Sequence, residues 1–294
     1  PLLAYFFYLC KKSKCTYLFL YNIVEFAMQS DKLHLLGMTL DELKEVVSEC
    51  GLPKFAAKQI ADWLYKKKIV SIDEMTNISL ANRTALSGKY DVGRSDPMEF
   101  QQSVDGTKKY LFRTDAGKLI ESVMIPDNDR STLCVSSQVG CKFNCLFCMT
   151  GKQGFNGDLS ANEILNQVFS VHEADELTNI VFMGMGEPLD NYDELKKTID
   201  ILVSDYGLAW SPKRITVSTT GVTPKLKKLL DETNVHIAIS LHTPFADQRL
   251  SIMPAEKAYP LQGVLDLLKQ YDWSHQRRLS FEYIMFSKFN DSLI

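Results

Sequence analysis

Apolar and polar positions follow two different periods along this chain. From residue 28 to 96 they recur at helical spacing. Thr39 with Glu42 forms a capping box, and Gly51 ends the helix that it starts. A second helix is predicted over Phe55–Lys68, with Phe55, Ile60, Trp63 and Leu64 as its buried set. From Met98 to Ile125 the period shortens to that of strands, punctuated by Asp105-Gly106 and Asp115-Ala116-Gly117. From Ser131 onward strands and helices alternate. The predicted strands are Thr132–Ser136, Asn179–Met183, Arg214–Ser218, Val235–Ser240 and Leu279–Met285. The intervening helices start near Ser160, Asn191, Thr223 and Tyr259, and Ser160/Glu163 and Asn191/Glu194 read as capping boxes. The expectation is an α/β fold with a parallel, barrel-like sheet, a partial (βα) barrel. The domains expected are an apolar leader (1–27), an N-terminal helical domain (28–96), a β meander (97–130) and the barrel (131–294). No internal repeat is present.

Composition narrows the class. At 45% hydrophobic and 23% charged, the 294 residues suit an ordinary soluble globular protein. The net charge of -3 gives no global signal for a polyanion, so any nucleic-acid contact must be local. The stretch holding Lys54, Lys58, Lys66, Lys67 and Lys68 beside Trp63 and Tyr65 could grip phosphates and stack bases, or form a solvated helix face. The leader is apolar but broken by Lys11, Lys12 and Lys14, so neither half can span a bilayer. Met28 reads as the biological start, with the leader a gene-boundary artefact.

The seven cysteines are too few and too clustered for a disulfide scaffold, and fit a reducing compartment and metal chemistry. Cys141, Cys145 and Cys148 have the spacing C-x3-C-x2-C. Three thiolates can hold three corners of a [4Fe-4S] cube and leave one iron open. The alternative is structural zinc, with Cys134 completing a four-thiolate tetrahedron.

Polar and glycine-rich motifs fall after the other strands, where parallel barrels carry their active sites. They are Gly184-Met185-Gly186-Glu187-Pro188, Ser218-Thr219-Thr220-Gly221 and Ser240-Leu241-His242. Gly186 suits a close backbone approach to a ligand. Each motif also has an ordinary structural use. Their shared position beside the cysteine loop favours a cofactor site.

The cysteine spacing resembles that of the radical S-adenosylmethionine enzymes. The runs Arg130–Cys141, Met183–Leu189, Arg214–Gly221 and Ala238–Thr243 resemble the RNA adenine C2-methyltransferase family within that group, as do Ile72–Thr76 and Ser103–Thr107. The resemblance implies a [4Fe-4S] cluster on Cys141, Cys145 and Cys148, whose open iron chelates S-adenosylmethionine. It implies cofactor contacts from Phe147, Gly186, Glu187, Ser218, Ser240, Leu241 and His242. It implies methylation of C2 of adenosine in 23S rRNA and tRNA, in the cytoplasm, with no membrane partner and with an external electron donor such as flavodoxin.

C2 of adenine is an electron-poor carbon and cannot attack a methyl sulfonium, so the family needs radicals. In the implied route a methylated cysteine carries the carbon to the base, Cys134 resolves the resulting protein–RNA adduct and Glu121 is the base. No cysteine follows Cys148, so the carrier has no counterpart here and a truncated product is expected. The rivals are a C8-specific adenosine methyltransferase and a non-catalytic RNA-binding fragment.

Overall fold

The computed structural model describes residues 32–275 and 277–292. The leader (1–27) lies outside them. From His34 onward the chain forms one compact unit.

The strands are β1 (Leu33–His34), β2 (Tyr90–Asp91), β3 (Glu99–Gln102), β4 (Lys108–Arg113), β5 (Leu119–Asp127), β6 (Arg130–Cys134), β7 (Gln138–Gly140), β8 (Phe155–Asp158), β9 (Asn179–Phe182), β10 (Ile215–Thr219), β11 (His236–Ser240) and β12 (Leu279–Glu282). The α-helices are α1 (Leu40–Glu49), α2 (Ala56–Ala61), α3 (Leu80–Ser87), α4 (Met149–Lys152), α5 (Ala161–Ser170), α6 (Tyr192–Val203), α7 (Thr223–Glu232), α8 (Ala246–Ile252) and α9 (Leu261–Leu268).

Eight strands form one sheet in the order β12-β11-β10-β9-β6-β5-β4-β3. The strands β6, β9, β10, β11 and β12 are parallel, and β3 to β6 pair antiparallel. Each parallel strand lies beside its predecessor in the order, with no reversal. Winding in one direction is barrel topology, whereas a doubly wound sheet reverses. The sheet stays open between β12 and β3, hence a partial barrel. No helix among the described residues is long and apolar enough to cross a membrane.

Register sorts the side chains into two faces, because paired residues point the same way and neighbours along a strand alternate. One face carries Leu133, Ile180, Phe182, Ile215, Val217, Ile237 and Ile239, all at most 1% exposed. This is the core. On its side Gln167 of α5 accepts a hydrogen bond from Ser122 at 2.6 Å. The opposite face carries Glu121, Val123, Cys134, Ser218, Ser240 and Glu282, and is largely polar.

The capping boxes at Thr39/Glu42 and Ser160/Glu163 form. The one expected at Asn191/Glu194 does not. Glu194 instead accepts from the Ala161 amide at 2.7 Å, and Asn191 donates to the carbonyls of Ser137 and Leu159. The second helix is not continuous: α2 runs into a π turn over Asp62–Lys66. Ile60 and Leu64 are buried as expected, but Phe55 is 65% exposed and Tyr65 takes the core position. The π turn shifts the buried face by about one residue, and the Tyr65 hydroxyl then reaches the Met38 carbonyl.

Candidate active site

The cysteine loop leaves the sheet after β6 and is anchored by β7 and β8. At Gly140, with φ +76°, a Cβ would lie 1.7 Å from the Gly154 carbonyl oxygen, so only glycine fits. The Cys141 amide donates to that carbonyl at 3.2 Å, and Cys148 N–H donates to Cys145 O at 3.0 Å. Cys145 is buried, and Cys141 and Cys148 are half-buried. All three thiols are free. Burial pushes the Cys145 thiol up to about 12, and Cys141 and Cys148 add to the effect. Burial raises Cys141 as well, with Glu187 and Cys148 as further contributors. Cys141 and Cys145 therefore feel the neighbouring thiols and resist ionising alone. Bound iron reverses that preference by holding thiolate.

Three free thiols in one loop match the soft donor set of an iron–sulfur cluster. Cys134 sits outside the loop, in β6, where it pairs with Val123 and Val181 within the sheet.

The turn after β9 packs directly on β7. A Cβ on Gly186, at φ +100°, would meet Gln138 Cβ at 2.5 Å. The close approach at Gly186 is thus to Gln138. The Gln138 side chain accepts from Glu187 N–H at 2.9 Å and donates to Asp158 and Asp190. Glu187 is 3% exposed. Its carboxylate accepts from Thr220 N–H at 2.8 Å and Leu189 N–H at 3.2 Å. Burial raises its carboxyl above the usual range, while these hydrogen bonds oppose the shift. A buried carboxylate beside the cysteine loop is a suitable partner for an ammonium.

At the ends of β10 and β11, Ser218 is buried and Ser240 and Leu241 are half-buried. His242 is 4% exposed and holds φ at +57°, a strained backbone for a residue other than glycine. Its Nδ1 accepts from Ile284 N–H at 3.2 Å. Burial, aided by Arg249, lowers its pKa to about 4. The ring is therefore neutral at pH 7, with its hydrogen on Nε2. Phe147 meets that ring edge-on, centroids 4.9 Å apart.

Glu121 and Cys134 share the polar face. Val123 pairs with Cys134, so Glu121 is its diagonal neighbour. Glu121 holds Lys109 at 2.9 Å, and burial pushes the Cys134 thiol up to about 11.

Three residues escaped the sequence reading. Gln138 braces the cysteine loop. Arg249 is fully buried, ion-paired with Glu256, and donates to the carbonyls of Thr220 and Ser240 at 2.8 and 2.9 Å. Glu282 accepts from the Ser240 hydroxyl at 3.0 Å. A signal existed only for Glu282, from its alternation with Ser280 in β12.

Buried polar atoms without partners lie at this site too, among them Glu282 Oε1 beside Ser240. Such atoms fit a polar ligand lying across the strand ends.

Residues 135–293 match the model of the radical SAM superfamily. Residues 33–92 match that of the ribosomal RNA large subunit methyltransferase N-terminal domain. The chain is 64% identical to the probable dual-specificity RNA methyltransferase RlmN of Parabacteroides distasonis, covering 90% of this chain and 77% of that protein. It is 40% identical to the dual-specificity RNA methyltransferase RlmN of Syntrophus aciditrophicus, with the same two coverages of 90% and 77%. A crystal structure of a radical SAM methyltransferase from Sphaerobacter thermophilus superposes with a TM-score of 0.83 at 38% identity, covering 88% of this chain and 78% of that one.

Proposed function

We infer the function from family and site together: the chain belongs to the radical SAM superfamily and, within it, to the dual-specificity RNA methyltransferases RlmN. It is a methyltransferase that uses a [4Fe-4S] cluster and S-adenosylmethionine and acts on RNA. Its reaction is methylation at C2 of adenosine. The observation that carries this reading is the gathering of Cys141, Cys145, Cys148 and Glu187 at the C-terminal ends of one unidirectional parallel sheet.

Cys141, Cys145 and Cys148 would hold the cluster. Phe147, Gly186, Glu187, Ser218, Ser240, Leu241 and His242 would hold S-adenosylmethionine. Together the two groups supply the radical that an electron-poor carbon requires. Glu187 offers a buried carboxylate to an ammonium. His242, neutral and bearing its hydrogen on Nε2, donates to an oxygen without adding charge. Burial of Cys134 keeps its thiol protonated until it acts as the resolving group, and Glu121, one diagonal away, takes the proton from C2. Lys109 would hold that carboxylate in place between turnovers.

The finer partners belong to the same proposal. They are 23S rRNA and tRNA as substrates and an external electron donor such as flavodoxin, in the cytoplasm. Residues 28–96 would contact RNA, with Lys67 stacked over Trp63 at 3.5 Å, residues 97–130 would form the meander, and residues 131–294 would carry the catalytic barrel. The test is to express the protein from its complete gene in cells lacking their own enzyme. Their 23S rRNA and tRNA are then digested to nucleosides and analysed by mass spectrometry. 2-Methyladenosine is expected. 8-Methyladenosine, or neither product, overturns the reading.

A further inference from the structure

Glu282 is the residue of the polar face whose hydrogen bonding is half complete. Its backbone carbonyl accepts from the Leu241 and His242 amides, both at 3.1 Å. One carboxylate oxygen, Oε2, accepts from the Ser240 hydroxyl at 3.0 Å. The other, Oε1, is buried and has no partner. None of the ion pairs found among the described residues involves Glu282. Register places Glu282 opposite Ser240, on the face shared with Ser218 and Cys134. A buried carboxylate oxygen without a donor costs free energy, and this one is pinned at a strand end beside two residues assigned above to the cofactor.

We propose that Glu282 is a further cofactor-binding residue, its Oε1 accepting a hydrogen bond from a ribose hydroxyl of S-adenosylmethionine. This rests on the functional reading above. The chemistry required is a hydroxyl donor close to positive charge. Both the cofactor and the RNA target carry an adenosine ribose. The cofactor also carries a sulfonium cation, which a carboxylate attracts, whereas the RNA brings phosphates, which it repels. Ser240 then acts in two ways: it lines the site, and its hydroxyl keeps the Glu282 carboxylate turned so that Oε1 faces the ligand.

The test titrates anaerobically reconstituted protein with S-adenosylmethionine and with its 2′-deoxy and 3′-deoxy analogues by calorimetry. The wild type should bind one analogue at least tenfold more weakly than the parent compound. Glu282→Ala should bind S-adenosylmethionine about 10- to 100-fold more weakly and no longer distinguish that analogue, with iron content unchanged. If Glu282→Ala does not take up iron, Glu282→Met, of similar size and without an oxygen acceptor, serves instead. It should show the same loss of discrimination. Wild-type affinity in either iron-loaded variant, or undiminished discrimination, overturns the proposal. Unchanged cofactor affinity with weakened binding of a 23S rRNA fragment assigns the hydroxyl to the RNA and overturns it equally. A wild type that binds neither iron nor cofactor refutes the functional reading itself, a result distinct from all of these.

Discussion

Arg249 and Glu256 form a buried ion pair beneath the turns that follow β10 and β11. Arg249 is 0% exposed and Glu256 6%. The guanidinium also donates to the carbonyls of Thr220, Ser240 and Leu241, so one side chain fixes both motif turns. Glu256 accepts in addition from the Leu261 amide at 3.0 Å, at the start of α9. Arg249→Ala would strand the Glu256 carboxylate and free three carbonyls. The expected loss is about 3–5 kcal/mol, read from urea unfolding. A loss below about 1 kcal/mol would show that the turns hold without it.

Glu187 joins the turns after β9 and β10 by accepting from the amides of Leu189 and Thr220. Glu187→Ala leaves two buried donors unsatisfied, at a cost of about 1–3 kcal/mol. It also removes the proposed ammonium partner, so affinity for S-adenosylmethionine should fall about 10- to 100-fold while iron content stays the same. Calorimetry on the iron-loaded variant checks this. Unaltered affinity would remove Glu187 from the binding site.

His34 lies between Asp91 at 2.5 Å and Asp115 at 3.1 Å. Hydrogen bonds to Asp115 and then Asp91 raise its pKa to about 10. Between the unfolded value near 6.5 and the folded value, the native state holds the extra proton. Its stabilisation is thus complete below about pH 6.5 and is lost as the pH rises through about 10. His34→Ala should lower Tm clearly at pH 6 and much less at pH 10.5. Equal decrements at the two pH values would mean that the imidazole acts uncharged.

Much of the barrel was legible because its strands are short, apolar and separated by helices with clear starts. Asn179, Ser240 and Leu279 are strand limits in both the sequence reading and the structure. The errors came from side chains with a choice of partner. Glu194 could cap its own helix or reach Ala161, and only the fold decides between them. Tyr65 is buried and Trp63 only partly so because a π turn adds a residue that helical spacing does not foresee, while Phe55 precedes that turn as the N-cap of α2 and stays exposed. Within the site, the cysteines and Glu187 announced themselves by spacing and by neighbouring glycines. Gln138 did not, and Glu282 did so only through its alternation with Ser280, since both work through partners distant in sequence; nothing in the sequence marked Arg249 as buried. Gln138 meets residues 20 and 52 positions away, and Glu282 meets Ser240 at 42.

The central claim is that Cys141, Cys145 and Cys148 hold a cluster with one iron open to S-adenosylmethionine. The most direct measurement combines metal analysis of anaerobically reconstituted protein with electron paramagnetic resonance of the reduced form. The account predicts about four irons per chain and a cluster spectrum that changes when S-adenosylmethionine is added. Both should vanish in Cys145→Ala. One zinc per chain in place of iron, or a cluster spectrum that S-adenosylmethionine leaves unmoved, would contradict it.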